Sequence, residues 1–180
     1  MNYCDYCLQQ NTKDIHIQYH NNQYGFPIDD DNKLFGRLIL EINQAGLSWE
    51  TILNKENNFK LAYSKYDIRT VASYSDVEIK QLLSNKGIVR NKLKINAVIY
   101  NAQKLLDIKN EYGSFNRWLD LNHPLKKDDW VKLFKKTFKF VGREIVSEFL
   151  MSIGYLPGAH KETCPVYKKI EKLKPKWKEK

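Results

Sequence analysis

Two groups of metal-ligating side chains stand at opposite ends of this 180-residue chain: Cys4-x2-Cys7 and His20 near the start, His160-x3-Cys164 near the end. Thiolate and imidazole are the usual ligands of tetrahedral zinc, bound at about 2.3 Å through sulfur and about 2.0–2.1 Å through nitrogen. A His and a Cys four residues apart point the same way from a helical turn or a tight loop. Two half-sites roughly 140 residues apart in sequence would form a clip fastening one end of the chain to the other. Five side chains compete for four places: Cys4, Cys7, His20, His160 and Cys164. Four protein ligands leave no open position for water, so such a site is structural. A redox role for Cys4 and Cys7 would need a strand in a βαβ setting, which the sequence does not offer. The plainer alternative is a set of unrelated thiols and surface histidines.

A second constellation is EINQAGLSW, Glu41 to Trp49. Glu41 lies between Leu40 and Ile42 on a helix with few polar residues, and a nearly buried carboxylate needs a partner that a binding pocket would supply. Gly46 makes a turn, a role glycine often has at helix corners without any further function, and Trp49 opens the next helix. The third is IQYHNNQYGFP, which sets Tyr19, Tyr24 and Phe26 beside His20; aromatic faces stack on nucleobases but more often fill a core. The fourth is TFKFVGREIVSEFLM, where Gly142 leads into a helix whose free N–H groups could hold a phosphate.

Helices must position these groups. Asp29, Asp30 and Asp31 offer caps for NKLFGRLILEIN, and Ser48 for WETILNKENNFKLAYSKY. Asp67 caps IRTVASY, and Ser75 with Glu78 forms a capping box for a helix through Leu83, with Gly87 at its C-terminal end. Apolar residues recur at helical spacing from Asn91 to about Tyr112, closed by Gly113. SFNRWLDL, DDWVKLFKK and VGREIVSEFLMSI complete the series. Alternating β-branched runs with hairpin turns are missing, and no fixed repeat occurs. The expected fold is all-α and compact.

The length suits one domain with a real core. No apolar run approaches the roughly 20 residues that span a bilayer, and the first twenty residues contain no signal-peptide core. Three cysteines give no disulfide framework, so a soluble, cytoplasmic protein is expected, and nothing demands more than a monomer. The net charge is +9, of which the lysine-rich stretch from Lys168 onward supplies +5. A basic chain suits a polyanionic partner such as nucleic acid, although the stretch itself could equally be a solvated, frayed terminus.

QAGLSW preceded by Glu41, Tyr19-His20 within YHNNQYG, GIVRNKLKI, FKFVG and the terminal Cys/His pairs occur in order from Cys4 to about Tyr167. In this combination the chain resembles the 3-methyladenine DNA glycosylase I family, of the helix-hairpin-helix DNA glycosylase superfamily. The resemblance implies a helical glycosylase domain over residues 1–167 and a lysine-rich tail over 168–180. It implies one structural zinc held by Cys4, His20, His160 and Cys164, with Cys7 spare. It implies an enzyme that flips 3-methyladenine out of alkylated double-stranded DNA and hydrolyses its N-glycosidic bond, leaving an abasic site, with no lyase step. Glu41 would be the catalytic residue and read the polar edge of the base, with Tyr19 and Trp49 stacking on it. Gly46 and Leu47 would enter the gap left by the flipped nucleotide, and Gly142 would hold the DNA backbone. The chain departs from the family pattern where Asn21, Gln23 and Tyr24 replace Asp, Glu and Trp. His16 occupies the place of a pocket tyrosine, which makes it a substrate-binding position of altered shape. These departures sustain an alternative, a catalytically silent zinc-containing relative that binds damaged or bent DNA.

Overall fold

Side-chain oxygens mark where most of the helices begin. Asp30, Ser48, Asp67, Asn91 and Ser114 each accept the N–H of the residue three positions on, while Ser75 and Glu78 form a reciprocal capping box. Each cap satisfies a donor that no helical carbonyl can reach. The computed structural model describes residues 2–179, so Met1 and Lys180, the outer ends of the two expected units, lie outside the described residues. The chain runs through α1 (Tyr3–Cys7), α2 (Asp14–Asn22), α3 (Asp31–Gln44), α4 (Trp49–Ala62), α5 (Ile68–Ala72) and α6 (Asp76–Ser84). It continues through α7 (Lys92–Tyr112), α8 (Phe115–Asn122), α9 (Lys127–Thr137), α10 (Arg143–Ser152) and α11 (Pro165–Lys172). Among the described residues there is no strand, as expected of an all-α chain. Nor, among these residues, is any helix long and apolar enough to cross a membrane.

The axis of the fold is α3, buried from Leu34 through Asn43. Leu34, Phe35, Leu38, Ile39 and Ile42 meet Ile95, Val98 and Ala102 of α7, together with Trp130 and Phe134 of α9 and Val146 and Phe149 of α10, in one cluster. Each large apolar side chain so buried contributes about 1.5–3 kcal/mol. The tight approach of α3 to the turn after α4 depends on Gly36, where a Cβ would fall 2.3 Å from Cδ2 of Tyr66. Tyr66 is brought there by a one-turn 3-10 segment, Ser64–Tyr66, whose three residues all have positive φ. That turn ends α4 at Ala62 rather than at Tyr66, where the apolar pattern runs out.

A further difference from the sequence expectation concerns a helix end. α6 stops at Ser84 with an extended Asn85, and Gly87 is not left-handed. Instead its N–H donates to Asn85 Oδ1 at 2.8 Å, so it belongs to the loop rather than to a C-terminal cap. The described part of the lysine-rich stretch is packed. Ile170 is buried with Cys4, Cys164 and Val166, the Trp177 ring lies 5.7 Å from Tyr167, and the Trp177 N–H donates to the Gly154 carbonyl.

Candidate active site and metal centre

The first and last helices bring four ligand atoms together. Cys4 comes from α1, His20 from α2, His160 from the loop after α10, and Cys164 caps α11; all four are buried. Their ligand atoms lie within 4.8 Å of one another. Cys4 Sγ and Cys164 Sγ are each 3.6 Å from His160 Nδ1, and Cys164 Sγ is 3.7 Å from His20 Nε2. For metal–sulfur and metal–nitrogen bonds of about 2.3 and 2.0–2.1 Å at tetrahedral angles, the sulfur–nitrogen separation is about 3.6 Å. These three separations match a tetrahedral ion, and the remaining ligand atoms lie close enough to complete its shell. The remaining ring nitrogens face acceptors: His160 Nε2 donates to the Tyr24 carbonyl and His20 Nδ1 to Asn21 Oδ1, both at 2.7 Å. Those bonds leave lone pairs on the nitrogens that face the sulfurs. Burial also pushes the His160 pKa down, favouring the neutral ring. Cys7 is excluded from the set; its thiol donates to the His16 carbonyl at 3.8 Å.

Next to this cluster opens a cavity of about 740 Å³, bounded by α1, α2, the end of α3, the start of α4, α10 and the 158–159 loop. Its walls are aromatic. Tyr19 meets Trp49 edge-on at 5.1 Å and Tyr24 at 5.6 Å, and the indole N–H of Trp49 is buried without a partner. Arg37, buried behind this wall, donates to Tyr19 Oη at 2.7 Å and to Gln23 Oε1 at 3.3 Å. Its guanidinium carbon also lies 5.0 Å from the Tyr19 ring, so Arg37 fixes the wall.

Glu41, one turn further along α3, lines the cavity and is 4% exposed. Burial raises its pKa from 4.5 to about 8; Arg37 opposes the rise and the charge of Glu148 adds to it. Among the described residues no hydrogen bond reaches its carboxylate. A buried acid with no donor is costly to ionise until a cation arrives.

The sequence model of the methyladenine glycosylase family matches residues 9–130. The chain belongs to that family. It is similar to DNA-3-methyladenine glycosylase 1 of Escherichia coli (strain K12), 33% identical over 172 residues that cover 85% of this chain and 91% of the relative. It is also similar to DNA-3-methyladenine glycosylase of Haemophilus influenzae (strain ATCC 51907 / DSM 11121 / KW20 / Rd), 29% identical over 178 residues that cover 88% of this chain and 96% of the relative. Among solved structures, 3-methyladenine DNA glycosylase I of Staphylococcus aureus, described for its recognition of 3-methyladenine, superposes with a TM-score of 0.81 at 29% identity, covering 92% of this chain and 97% of that one.

In this methyladenine glycosylase, five residues singled out from the sequence, Tyr19, Tyr24, Glu41, Gly46 and Trp49, line one cavity. Gly46 has φ +82 and an open surrounding, so it forms the corner between α3 and α4 in a conformation that glycine adopts freely. Lys94 of α7 clamps that corner, its ammonium donating to the carbonyls of Asn43 and Ala45 at 2.8 and 2.6 Å. Leu47 is 39% exposed and borders a shallow groove with Lys55, Lys86 and Arg90. Gly142 caps α10 after the short link from α9. In that link Lys139 is held by reciprocal hydrogen bonds with the Asn101 amide.

His16 lies elsewhere. It is buried behind the cavity lining, Nδ1 2.9 Å from Tyr3 Oη and Nε2 3.7 Å from Glu50 Oε2. Tyr3 lines the cavity instead. Sequence reasoning missed Tyr3, Arg37 and Glu148. Glu148 carried the same signal as Glu41, a carboxylate flanked by core positions, here Ser147 and Phe149. Tyr3 had only its adjacency to Cys4, and Arg37 only its place one turn before Glu41.

Proposed function

We propose that the chain is a DNA repair glycosylase that removes 3-methyladenine from alkylated double-stranded DNA, leaving an abasic site without cutting the strand. The observation that carries this reading is Glu41, a buried, unpartnered carboxylate beneath aromatic walls. Methylation at N3 gives adenine a positive charge in the nucleotide. A carboxylate and flat aromatic faces favour that cation over neutral adenine. The arriving cation supplies what the empty pocket lacks, so Glu41 ionises as the base enters.

The same charge makes the base a good leaving group. The bond from C1′ to N9 breaks with its electron pair passing to the base, which leaves neutral, while the sugar gains oxocarbenium character. Water then bonds to C1′ and gives a proton to solvent. Pocket electrostatics and positioning can drive this without a strong acid. Tyr19 and Trp49 would stack on the base, and Leu47 on its Gly46 corner would fill the space vacated in the duplex. Lys55, Lys86 and Arg90 beside Leu47 offer phosphate partners, and the amides after Gly142 offer another. His16 acts in this reading through Tyr3 rather than by touching the base.

The metal centre would hold zinc, in keeping with two thiolates and two neutral imidazoles. Four protein ligands give zinc a structural task, joining the ends of the 1–167 unit, with 168–180 an appended, packed tail. A cytoplasmic monomer suffices for the reaction. Release of free 3-methyladenine from methylated duplex DNA tests the whole reading. Binding of an abasic-site analogue without any base release would replace the enzyme by a silent damage-binding protein.

A further inference from the structure

The chain carries a net charge of +9, yet among the described residues no Lys, Arg or His lines the aromatic cavity, whereas Glu41, Glu144 and Glu148 all do. The three carboxylates differ in kind. Glu144, in the first turn of α10, is exposed and screened by water. Glu148, one turn further on, is half-buried and held in place, its Oε2 accepting a hydrogen bond from Tyr24 Oη at 3.0 Å. Glu41 in turn senses Glu148, whose charge disfavours ionisation of the deeper acid. Around Glu148 stand Tyr24, Glu144 and, from α9, Lys127. Lys127 does not line the cavity, so no side chain within it neutralises the pair.

Two carboxylates that repel each other across an aromatic cavity are relieved together by a single cation placed between them. We propose that Glu148, oriented by Tyr24, is a second base-recognition carboxylate that shares the cationic base with Glu41 and sets the pocket's discrimination against neutral purines. The proposal rests on the glycosylase reading above.

The test compares two small probes by titration calorimetry with the whole, metal-loaded protein: 3,9-dimethyladeninium, whose charge is fixed, and neutral 9-methyladenine. Wild-type protein is expected to prefer the cation, and Glu148→Gln to lower the ratio of the two affinities on the order of tenfold. Tyr24→Phe should shift the ratio the same way by less. Because the ratio is internal to each sample, a partly misfolded variant lowers both affinities and leaves it unmoved. A wild-type preference for the cation that survives intact in Glu148→Gln overturns the role of Glu148 alone. No preference in the wild type overturns the glycosylase reading and this inference with it.

Discussion

Glu41→Gln should weaken catalysis and strengthen the fold, and the second effect should depend on pH in a defined direction. The substitution keeps the shape of the side chain and removes its charge. Burial first, and Glu148 in addition, lift the folded-state pKa of Glu41 from 4.5 to about 8 against the pull of Arg37. Between those values the unfolded chain has lost the proton while the folded chain still holds it. The native state therefore loses stability, relative to a side chain that never ionises, as pH rises from about 4.5 to about 8. At 1.36 kcal/mol per unit the full window, (8 − 4.5) × 1.36, sets a ceiling of about 5 kcal/mol. The amide forfeits its attraction to Arg37, which lowers the gain. For a chain of this size each kcal/mol moves the melting temperature by about 2–4 °C. Thermal unfolding of both proteins should give near-equal melting temperatures near pH 5 and a lead of several degrees for Glu41→Gln at pH 8. In parallel, release of 3-methyladenine should fall by about 10²–10³, the scale of removing one preorganised electrostatic partner. A difference in melting temperature that stays constant from pH 5 to pH 8 would show that Glu41 is not held protonated by its burial.

Removing one buried thiol at a time should separate Cys164 from Cys7. Cys164→Ser is expected to lose bound zinc and melt markedly lower, since metal binding and folding are linked, whereas Cys7→Ser should keep about one zinc per chain by metal analysis. Leu47→Ala should cost little stability, because the side chain is 39% exposed. Base release from duplex DNA should nonetheless fall about tenfold or more, as unpairing a base costs a few kcal/mol that a wedge helps to meet, while binding of a free cationic purine stays unchanged. Equal losses in both assays would remove Leu47 from the DNA interface.

Legibility in the sequence followed the physical signal each element carries. α3 to α8 announce themselves through Asp30, Ser48, Asp67, Ser75, Asn91 and Ser114, because a capping oxygen and the apolar periodicity after it are both local. α2 and α11 have no side-chain cap, and α1, although Asn2 and Asp5 box its start, is too short to show a period. α2 buries His16, Tyr19 and His20, residues that read as polar or amphipathic until the metal cluster and the cavity are known. Lysines mask the packing of α11, although Val166 and Ile170 are its buried residues. The same limit separates Glu41 from Glu148. Both interrupt an apolar stretch, but only the first sits on a helix buried on nearly every side, so only the first stands out by contrast. Tyr3 could not be placed at all, because its position follows from a metal site closed by residues more than 150 positions away.

That closure links the two sites more tightly than their separate chemistry requires. Tyr3 precedes Cys4, Tyr19 precedes His20 and Ala159 precedes His160, and in each pair the first residue lines the cavity while the second belongs to the metal cluster. Successive helical residues point about 100° apart, so α2 turns His20 toward the Cys/His cluster and Tyr19 toward the cavity at once. Tyr24 extends the pattern: its carbonyl accepts the His160 Nε2–H while its hydroxyl holds Glu148. The opposite wall, Glu41 and Trp49, stands on α3 and α4 and owes nothing to the ligands. The cavity thus has one side set by the hydrophobic core and one side set by the metal centre. A metal held by that cluster would therefore govern how closely the aromatic wall approaches a bound base, although its ligands are remote from the reacting bond.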